Sequence, residues 1–308
     1  MIELRVEPRL VKAWETFCME NPPYSIALDG YVEGAPKYDH AGPRLNLNHH
    51  EGVDRLSTRS TSGQVYIVVK QGLFDRFRRD DEPTAIVYIN DPDQDTSLAV
   101  WLLRNHQRIA GIKSEPLINR LVFAEDMLDA TAGAYPFDPD SDIMHEQAWI
   151  FDPYIQSRIS GHLQSMTTGE MEGVIDAVGA RISDYSVGKG RKLPLDTRYE
   201  VIDSGNGWVM IHEIGQYART DLFSRGVRAF VSVRERKDKN YTYTLGRMSQ
   251  FIPFAIEELY GKLNEIENIS SNDMNRWGGG NIIGGSPRQT GSKLKPVELA
   301  KILKELIH

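Results

Sequence analysis

Two short apolar runs, Tyr24-Ser25-Ile26-Ala27-Leu28 and Ala85-Ile86-Val87-Tyr88-Ile89, constrain this chain more than any other feature. Each is shorter than a typical helix and stops at polar residues, the pattern of a strand buried on both faces. Leu117-Ile118-Asn119-Arg120-Leu121-Val122-Phe123 reads as a weaker third strand, and helices are expected between these runs at 62–79 and 96–108. Such alternation predicts an α/β fold with a mostly parallel sheet, whose ligands sit beyond the carboxyl ends of the strands. The polar residues directly after the apolar runs are therefore the first place to look for chemistry.

Beyond residue 150 the pattern is helical to about 190, and Ser186-Val187-Gly188-Lys189-Gly190-Arg191-Lys192-Leu193-Pro194 has the composition of a linker. Strands are expected at 199–203, 207–212, 228–234 and 241–245, then helices at 253–266 and 296–307, the last opened by Pro296. The 308 residues suit two domains. They are expected to be a metal-binding catalytic domain over 1–185 and a smaller α/β substrate-binding domain over 195–308. The single cysteine, Cys18, excludes an internal disulfide, a four-thiolate zinc site and a CxxC redox pair, which suits a reducing compartment. The opening residues are charged throughout, and no uncharged apolar run approaches the roughly 18 residues that span a bilayer. A cytoplasmic location is expected, with no membrane partner. With 36 basic and 43 acidic residues the formal charge is -7, which argues against tight binding of a long duplex nucleic acid. The basic stretch Arg76-Phe77-Arg78-Arg79 runs straight into Asp80-Asp81-Glu82 and reads as a solvated helix end.

Three of the eight histidines fall in one segment, with His40 beside Asp39 and His49-His50 shortly before Asp54. Mixed imidazole and carboxylate sets suit manganese, magnesium or iron, so this is the densest candidate ligand cluster; a polar surface loop is the plainer alternative. The second cluster follows the run ending at Ile89: Asp91, Asp93 and Asp95 at alternate positions, just before a helix. Alternate carboxylates at a strand end can hold divalent cations, and the helix N-terminus favours an anion. Capping by Asp95 or Thr96 accounts for one of the three acids, not for all. Asp126 and Asp129 follow the third predicted run and are weighed evenly between metal ligation and helix-terminus acids, while His145 and Glu146 are expected to be structural. Between Trp277 and Arg288 five glycines crowd into eight positions, Gly278-Gly279-Gly280 and Gly284-Gly285. Glycine lets backbone N–H groups approach an oxyanion, and Ser286 and Arg288 would complete an anion clamp.

Taken together these segments resemble the DHH phosphoesterase superfamily with a DHHA1-type C-terminal domain. Asn90-Asp91-Pro92-Asp93-Gln94-Asp95 resembles its PDxD metal motif. Asp39-His40 with His49-His50 is similar to the Asp-His-His motif, and Ser60-Thr61-Ser62-Gly63-Gln64-Val65-Tyr66 to the helix start that follows it. Residues 229–249 look like the paired DHHA1 strands, and the glycine run stands where that domain has its GGGH loop. Ile89 and Asn281 occupy positions where the family has histidine, Ala41 follows Asp39-His40, and the DHH-like segment precedes the PDxD-like one.

The resemblance implies a hydrolase that cleaves a phosphoester or phosphoanhydride of a small anionic substrate, a short oligonucleotide or nucleotide, in an interdomain cleft. It implies one or two Mn²⁺ or Mg²⁺ ions held by Asp39, His40, His49, His50, Asp93, Asp95 and Asp129. His49, His50 and Asp91 are the catalytic candidates, with Asp91 standing in for the missing histidine. Arg55, Arg59, Gly279, Gly280, Gly284, Gly285, Ser286 and Arg288 are the substrate-binding candidates. A homodimer is the one protein partner considered. The competing readings are a metal-dependent hydrolase of an amide or ring C–N bond, motivated by the changes at Ile89, Ala41 and Asn281, and a catalytically silent binding protein.

Overall fold

The computed structural model describes residues 1–270 and 272–307. The chain divides into two compact units, Met1–Ala130 with Asp142–Leu193, and Thr131–Ser141 with Pro194–His308. In the first unit the strands are β1 (Ile2–Val6), β2 (Ser25–Leu28), β3 (Lys37–Asp39), β4 (Arg44–Leu47), the hairpin β5 (Arg78–Arg79) and β6 (Glu82–Pro83), and β7 (Ala85–Ile89). Its helices are α1 (Trp14–Glu20), α2 (Thr61–Lys70), α3 (Leu73–Arg76), α4 (Gln94–Arg104), α5 (His106–Ile109), α6 (Pro116–Ala130), α7 (Asp142–Ile159) and α8 (Thr168–Ser186).

Among the described residues the main sheet of this unit runs β1-β7-β2-β4-β3. Its neighbours are parallel except β3, which lies antiparallel to β4 at the edge, so the fold is mixed α/β with a mostly parallel first sheet. The apolar runs at 85–89 and 24–28 are the central strands β7 and β2. Every residue of β2 is buried, and all of β7 except Ile86. Phe17 of α1 packs with Ala27, Tyr31, Val32 and Tyr88 into one cluster. Register sets the rest: Val6 lies opposite Ile89, Ala27 opposite Tyr88 and Leu28 opposite Leu47. The carboxyl ends of β1, β7, β2 and β4 therefore finish at one edge of the sheet, and the residues leaving them are neighbours.

Two expectations are corrected. Residues 117–123 form no strand but the first half of α6: Ile118, Leu121, Val122 and Glu125 are buried while Phe123 is exposed. That spacing of three and four buries one helical face, and the β-branched residues hid it. The helix expected over 62–79 ends at Lys70, because Gly72, with φ of 94°, takes the left-handed conformation that breaks it, and the short α3 and a hairpin follow.

The second unit contains β8 (Tyr199–Gly205), β9 (Trp208–Glu213), α9 (Ala218–Ser224), β10 (Ala229–Glu235), β11 (Tyr241–Arg247), α10 (Ile256–Ile266), β12 (Gly278–Gly279), β13 (Ile283–Gly285) and α11 (Pro296–Leu306). Its sheet runs β12-β13-β11-β10-β9-β8 among the described residues, and only β9 and β10 are parallel. Trp208, Met210, Val231, Tyr243 and Leu245 pack with Leu259 and Leu263 of α10 and Leu299 and Leu303 of α11. Ile211 and Phe230 pack with Leu222 and Phe223 of α9 and with Ala134. No helix among the described residues is long and apolar enough to cross a membrane.

Candidate metal centre

The common edge of β2, β4 and β7 carries the densest set of ionisable side chains. Asp29 leaves β2 in the left-handed region (φ of 50°) and Gly30 follows it there, so the chain turns at once and holds the carboxylate at the sheet edge. After β4, buried Asn48 shapes the next loop: its side-chain oxygen accepts from the backbone N–H groups of His49 (2.8 Å) and His50 (3.1 Å), and its amide donates to Gly34 (3.0 Å). Asp91, Asp93 and Asp95 follow β7. Asp93 caps α4, accepting from the Thr96 N–H at 2.8 Å, and Asp95 lies in the first turn. Asp129 comes from the far end of α6.

Two groups of ligand atoms converge there, Asp29 with His49 and His50, and His49 with Asp95 and Asp129, each within 4.8 Å. His49 belongs to both. Its Nε2 lies 2.7 Å from Asp129 Oδ2, 3.5 Å from Asp29 Oδ1 and 3.9 Å from Asp95 Oδ2. Despite the short approach to Asp129 the atoms are not aligned as a hydrogen bond, and both ring nitrogens of His49 and Asp129 Oδ2 are buried with no hydrogen-bond partner among the described residues. Buried polar atoms are almost always paired. A cation between His49 Nε2 and the facing carboxylate oxygens would satisfy that nitrogen and Asp129 Oδ2 together, so the donor set fits a metal, and its three carboxylates with one imidazole suit a hard to borderline divalent ion. His50 is exposed and Asp129 half-buried, so the centre is open on one side, as reactive metal sites are.

Surrounding groups hold the carboxylates in place. Asp95 accepts two backbone N–H bonds from the start of α2, Thr61 at 2.6 Å and Ser62 at 2.8 Å, where the helix dipole also favours an anion. Asp29 accepts from the hydroxyls of Thr61 (3.0 Å) and Thr96 (3.3 Å). Asp126 accepts from Ser60 N–H and Arg59, both at 2.7 Å. Proton affinities report the crowding. Burial pushes the Asp95 carboxyl up, and the charges of Asp129 and Asp29 add to it, reaching about 7. Burial and the Asp29 charge raise Asp91 to about 6. Burial raises Asp93 well above the carboxylate range, helped by Asp29 and Asp91. Burial opposes ionisation of Asp29 too, yet the imidazoles of His49 and His50 beside it outweigh that and hold Asp29 well below the usual value. Burial would lower His49, but Asp129 and Asp29 prevail and lift it to about 10. Without a cation the centre therefore keeps protons that a cation would displace.

The structure thus brings together His49, His50, Asp95 and Asp129, with Asp91 and Asp93 beside them in the electrostatic field of Asp29. Asp39 and His40 are in neither group. Asp39 pairs with Arg44 at 3.1 Å at the opposite edge of the sheet, because β3 runs antiparallel to β4, and the His40 ring meets Tyr38. Asp126 and Asp129 sit in the second half of α6, not in a first turn. Arg55 donates to Ala130 O and Asp129 O, Arg59 pairs with Asp126, and Asp54 caps the short helix Arg55–Ser57. Glu146 pairs with Arg120. Sequence reasoning missed Asp29, although a lone acid directly after a buried strand was signal enough. It also missed Glu125, a buried acid in α6 that accepts from Gln147 at 3.0 Å and is raised well above its usual range by burial and then by Asp95.

In the second unit the glycine run forms strands β12 and β13 beside a cleft of about 1030 Å³. Gly279, Gly280, Gly284, Gly285, Ser286 and Arg288 all line it, but Ser286 is buried and its hydroxyl accepts from the Tyr243 N–H at 3.0 Å. Arg234, Arg236 and Arg276 join Arg288 along the same wall. Among the described residues the exposed guanidiniums of Arg234, Arg276 and Arg288 make no ion pair or hydrogen bond, and Asp273 is the one acid on this lining. No protein-family model matches the chain, and a search of curated proteins finds no match.

Proposed function

We propose that this protein is a metal-dependent hydrolase resembling the DHH phosphoesterases, which cleaves a phosphoester or phosphoanhydride of a small anionic substrate such as a short oligonucleotide or nucleotide. The observation that carries the reading is His49: a buried imidazole whose Nε2 faces three carboxylates and has no hydrogen-bond partner among the described residues. Asp29, His49, Asp95 and Asp129 would hold Mn²⁺ or Mg²⁺, with Asp91 and Asp93 beside them for a second ion. A bound divalent ion supplies an acidified water and neutralises charge on the transferring group. The chain's own residues do the rest. Asn48 fixes the histidine loop, and the α2 N-terminus orients Asp95 and favours its ionised form.

The unpaired arginines of the second unit support the anionic class of substrate, since guanidinium matches phosphate oxygens through two parallel bonds. They favour a phosphate over an amide substrate. The test is protein purified without chelator, analysed for bound metal and then assayed with Mn²⁺ on pyrophosphate, a nucleotide and a short oligonucleotide. Bound ion with phosphate release or strand cleavage is expected. No ion, and no change in melting temperature on adding Mn²⁺, would refute the metal centre, while metal binding without turnover of any phosphate substrate would refute the reaction class.

A further inference from the structure

We infer that Arg236 is a positioning residue of the second-unit cleft: it holds no anion itself but presents Arg288, and with it Arg276, to an anion that enters. The inference rests on the anionic-substrate reading of that cleft and is independent of the metal centre.

Four arginines lie along the cleft, and Arg236 differs from the other three. The guanidiniums of Arg234, Arg276 and Arg288 are exposed and have no partner among the described residues, whereas the Arg236 side chain is 28% exposed and each of its nitrogens is engaged. Nη2 donates to Gln289 O at 2.6 Å and Nη1 to Arg288 O at 3.4 Å, while Nε lies 3.3 Å from both carboxylate oxygens of Asp238. Arg236 follows β10, and its backbone N–H donates to Asn240 O at 2.8 Å across the turn to β11, so the fork reaches out from a closed hairpin. The loop it grips is fitted round it. Gly291 takes the left-handed conformation (φ of 67°), and a Cβ there would come within 2.6 Å of Arg236 Cδ and 2.7 Å of Tyr241 O. Asn240 donates to Thr290 O at 2.9 Å, and Tyr241 and Ser292 exchange backbone bonds at 2.8 Å. On the other side Asn275, next to Arg276, donates to Thr290 Oγ1 at 3.0 Å and accepts from the Gln289 N–H at 2.9 Å. Arg288 and Arg276 therefore both stem from backbone tied to the loop that Arg236 grips. A lysine at position 236 would keep the charge but not the planar fork that meets two successive carbonyls. Without that grip Arg288 would have to be ordered on binding, which costs affinity.

The experiment is a double-mutant cycle on the full chain, Arg236→Lys with Arg288→Gln, read as affinity for a short fluorescein-labelled single-stranded oligonucleotide in chelator, so that no turnover competes. Arg288→Gln should weaken binding about tenfold or more, the loss of a hydrogen-bonded charge contact. Arg236→Lys should weaken it by a similar factor although the charge is kept. The double variant should bind no worse than Arg288→Gln alone, because losses that run through one group do not multiply. Losses that multiply would make Arg236 a contact in its own right and overturn the proposal, and so would an unchanged affinity in Arg236→Lys. An affinity that Arg288→Gln leaves unmoved would refute the anion reading of the cleft, and the role of Arg236 with it. A second readout needs no ligand: amide exchange followed by NMR should be faster at Gln289 and Gly291 in Arg236→Lys, and unchanged at Val231 and Leu245, which lie opposite each other in β10 and β11. Equal exchange at Gln289 and Gly291 in the two proteins would show that the loop is held without the fork, and would overturn the proposal whatever the oligonucleotide does.

Discussion

Replacing Asp95 with asparagine should flatten the pH dependence of stability in the metal-free protein. Asp95 is 1% exposed, and its carboxyl titrates near 7 in the folded chain, against 3.8 for an ordinary aspartate. A folded pKa above the unfolded one means that the folded state holds the proton more tightly, so stability is greatest below the unfolded pKa and falls as pH rises towards the folded one. Between pH 5 and pH 8 a single group with these two values costs about 2.5 kcal/mol. For a unit of this size that lowers the melting temperature by about 5 to 10 °C. His49, raised to about 10, acts in the same direction and further up the scale. Asparagine keeps the shape and one acceptor for the Thr61 and Ser62 N–H groups, but it cannot ionise. Thermal melts in chelator at pH 5, 6, 7 and 8 should show wild type losing about 2.5 kcal/mol more than Asp95→Asn across that range. Mn²⁺ at about a hundred times its dissociation constant should restore about 2.7 kcal/mol to wild type at pH 8, and nothing to the variant. Parallel profiles for the two proteins would refute the reasoning, because they would mean that the buried charge is already compensated within the chain.

Gly63→Ala tests the packing behind the centre: the new Cβ would sit 2.8 Å from Asp126 Oδ1 and 2.9 Å from its Cγ. The gain in helix propensity, about 1 kcal/mol, should be outweighed by overpacking of about 1 to 3 kcal/mol, and a more stable variant in urea titration would contradict this. Changing Arg234, Arg276 and Arg288 to glutamine should weaken binding of a short fluorescent oligonucleotide and reduce the slope of log affinity against log salt by about 0.7 for each phosphate that is no longer neutralised. An unchanged slope would show that the groove is not where the anion binds.

The parts legible in the sequence were those set by local pattern. Residues 24–28 and 85–89 announced buried strands, and the rule that ligands lie beyond their carboxyl ends pointed to the acids from 91 to 95, while the density of histidines singled out His49 and His50, which follow the unexpected strand β4. What stayed hidden depends on register and strand direction. Asp29 is a lone acid in the sequence and becomes central only because Leu28 pairs with Leu47, which sets it against the histidine loop. Asp39 and His40 looked like ligands because they stand close to His49 along the chain. Yet Asp39 lies opposite Arg44, and the four residues of β4 put about 13 Å of strand between that edge and the centre. The spacing within 117–129 favoured a helix all along, but a run of Leu, Ile and Val obscured it, so Asp129 was noticed for the wrong local reason.

The glycine run shows how a composition signal can have two causes. A Cβ at Gly284 would strike the Tyr260 hydroxyl, and one at Gly285 the Tyr243 carbonyl oxygen, so close packing of β13 demands glycine at both without reference to any ligand. At Gly278 nothing lies within 4 Å, and at Gly280 the nearest atom is 3.6 Å away, so neither glycine is explained by packing. The stronger pointer to an anion is the arginines. Arg234 lies on β10 and Arg276 and Arg288 flank the glycine strands, too far apart in sequence to register as a basic patch within a chain of charge -7. Only the sheet brings them to one cleft, where together they give it a positively charged lining that glycine count alone never showed.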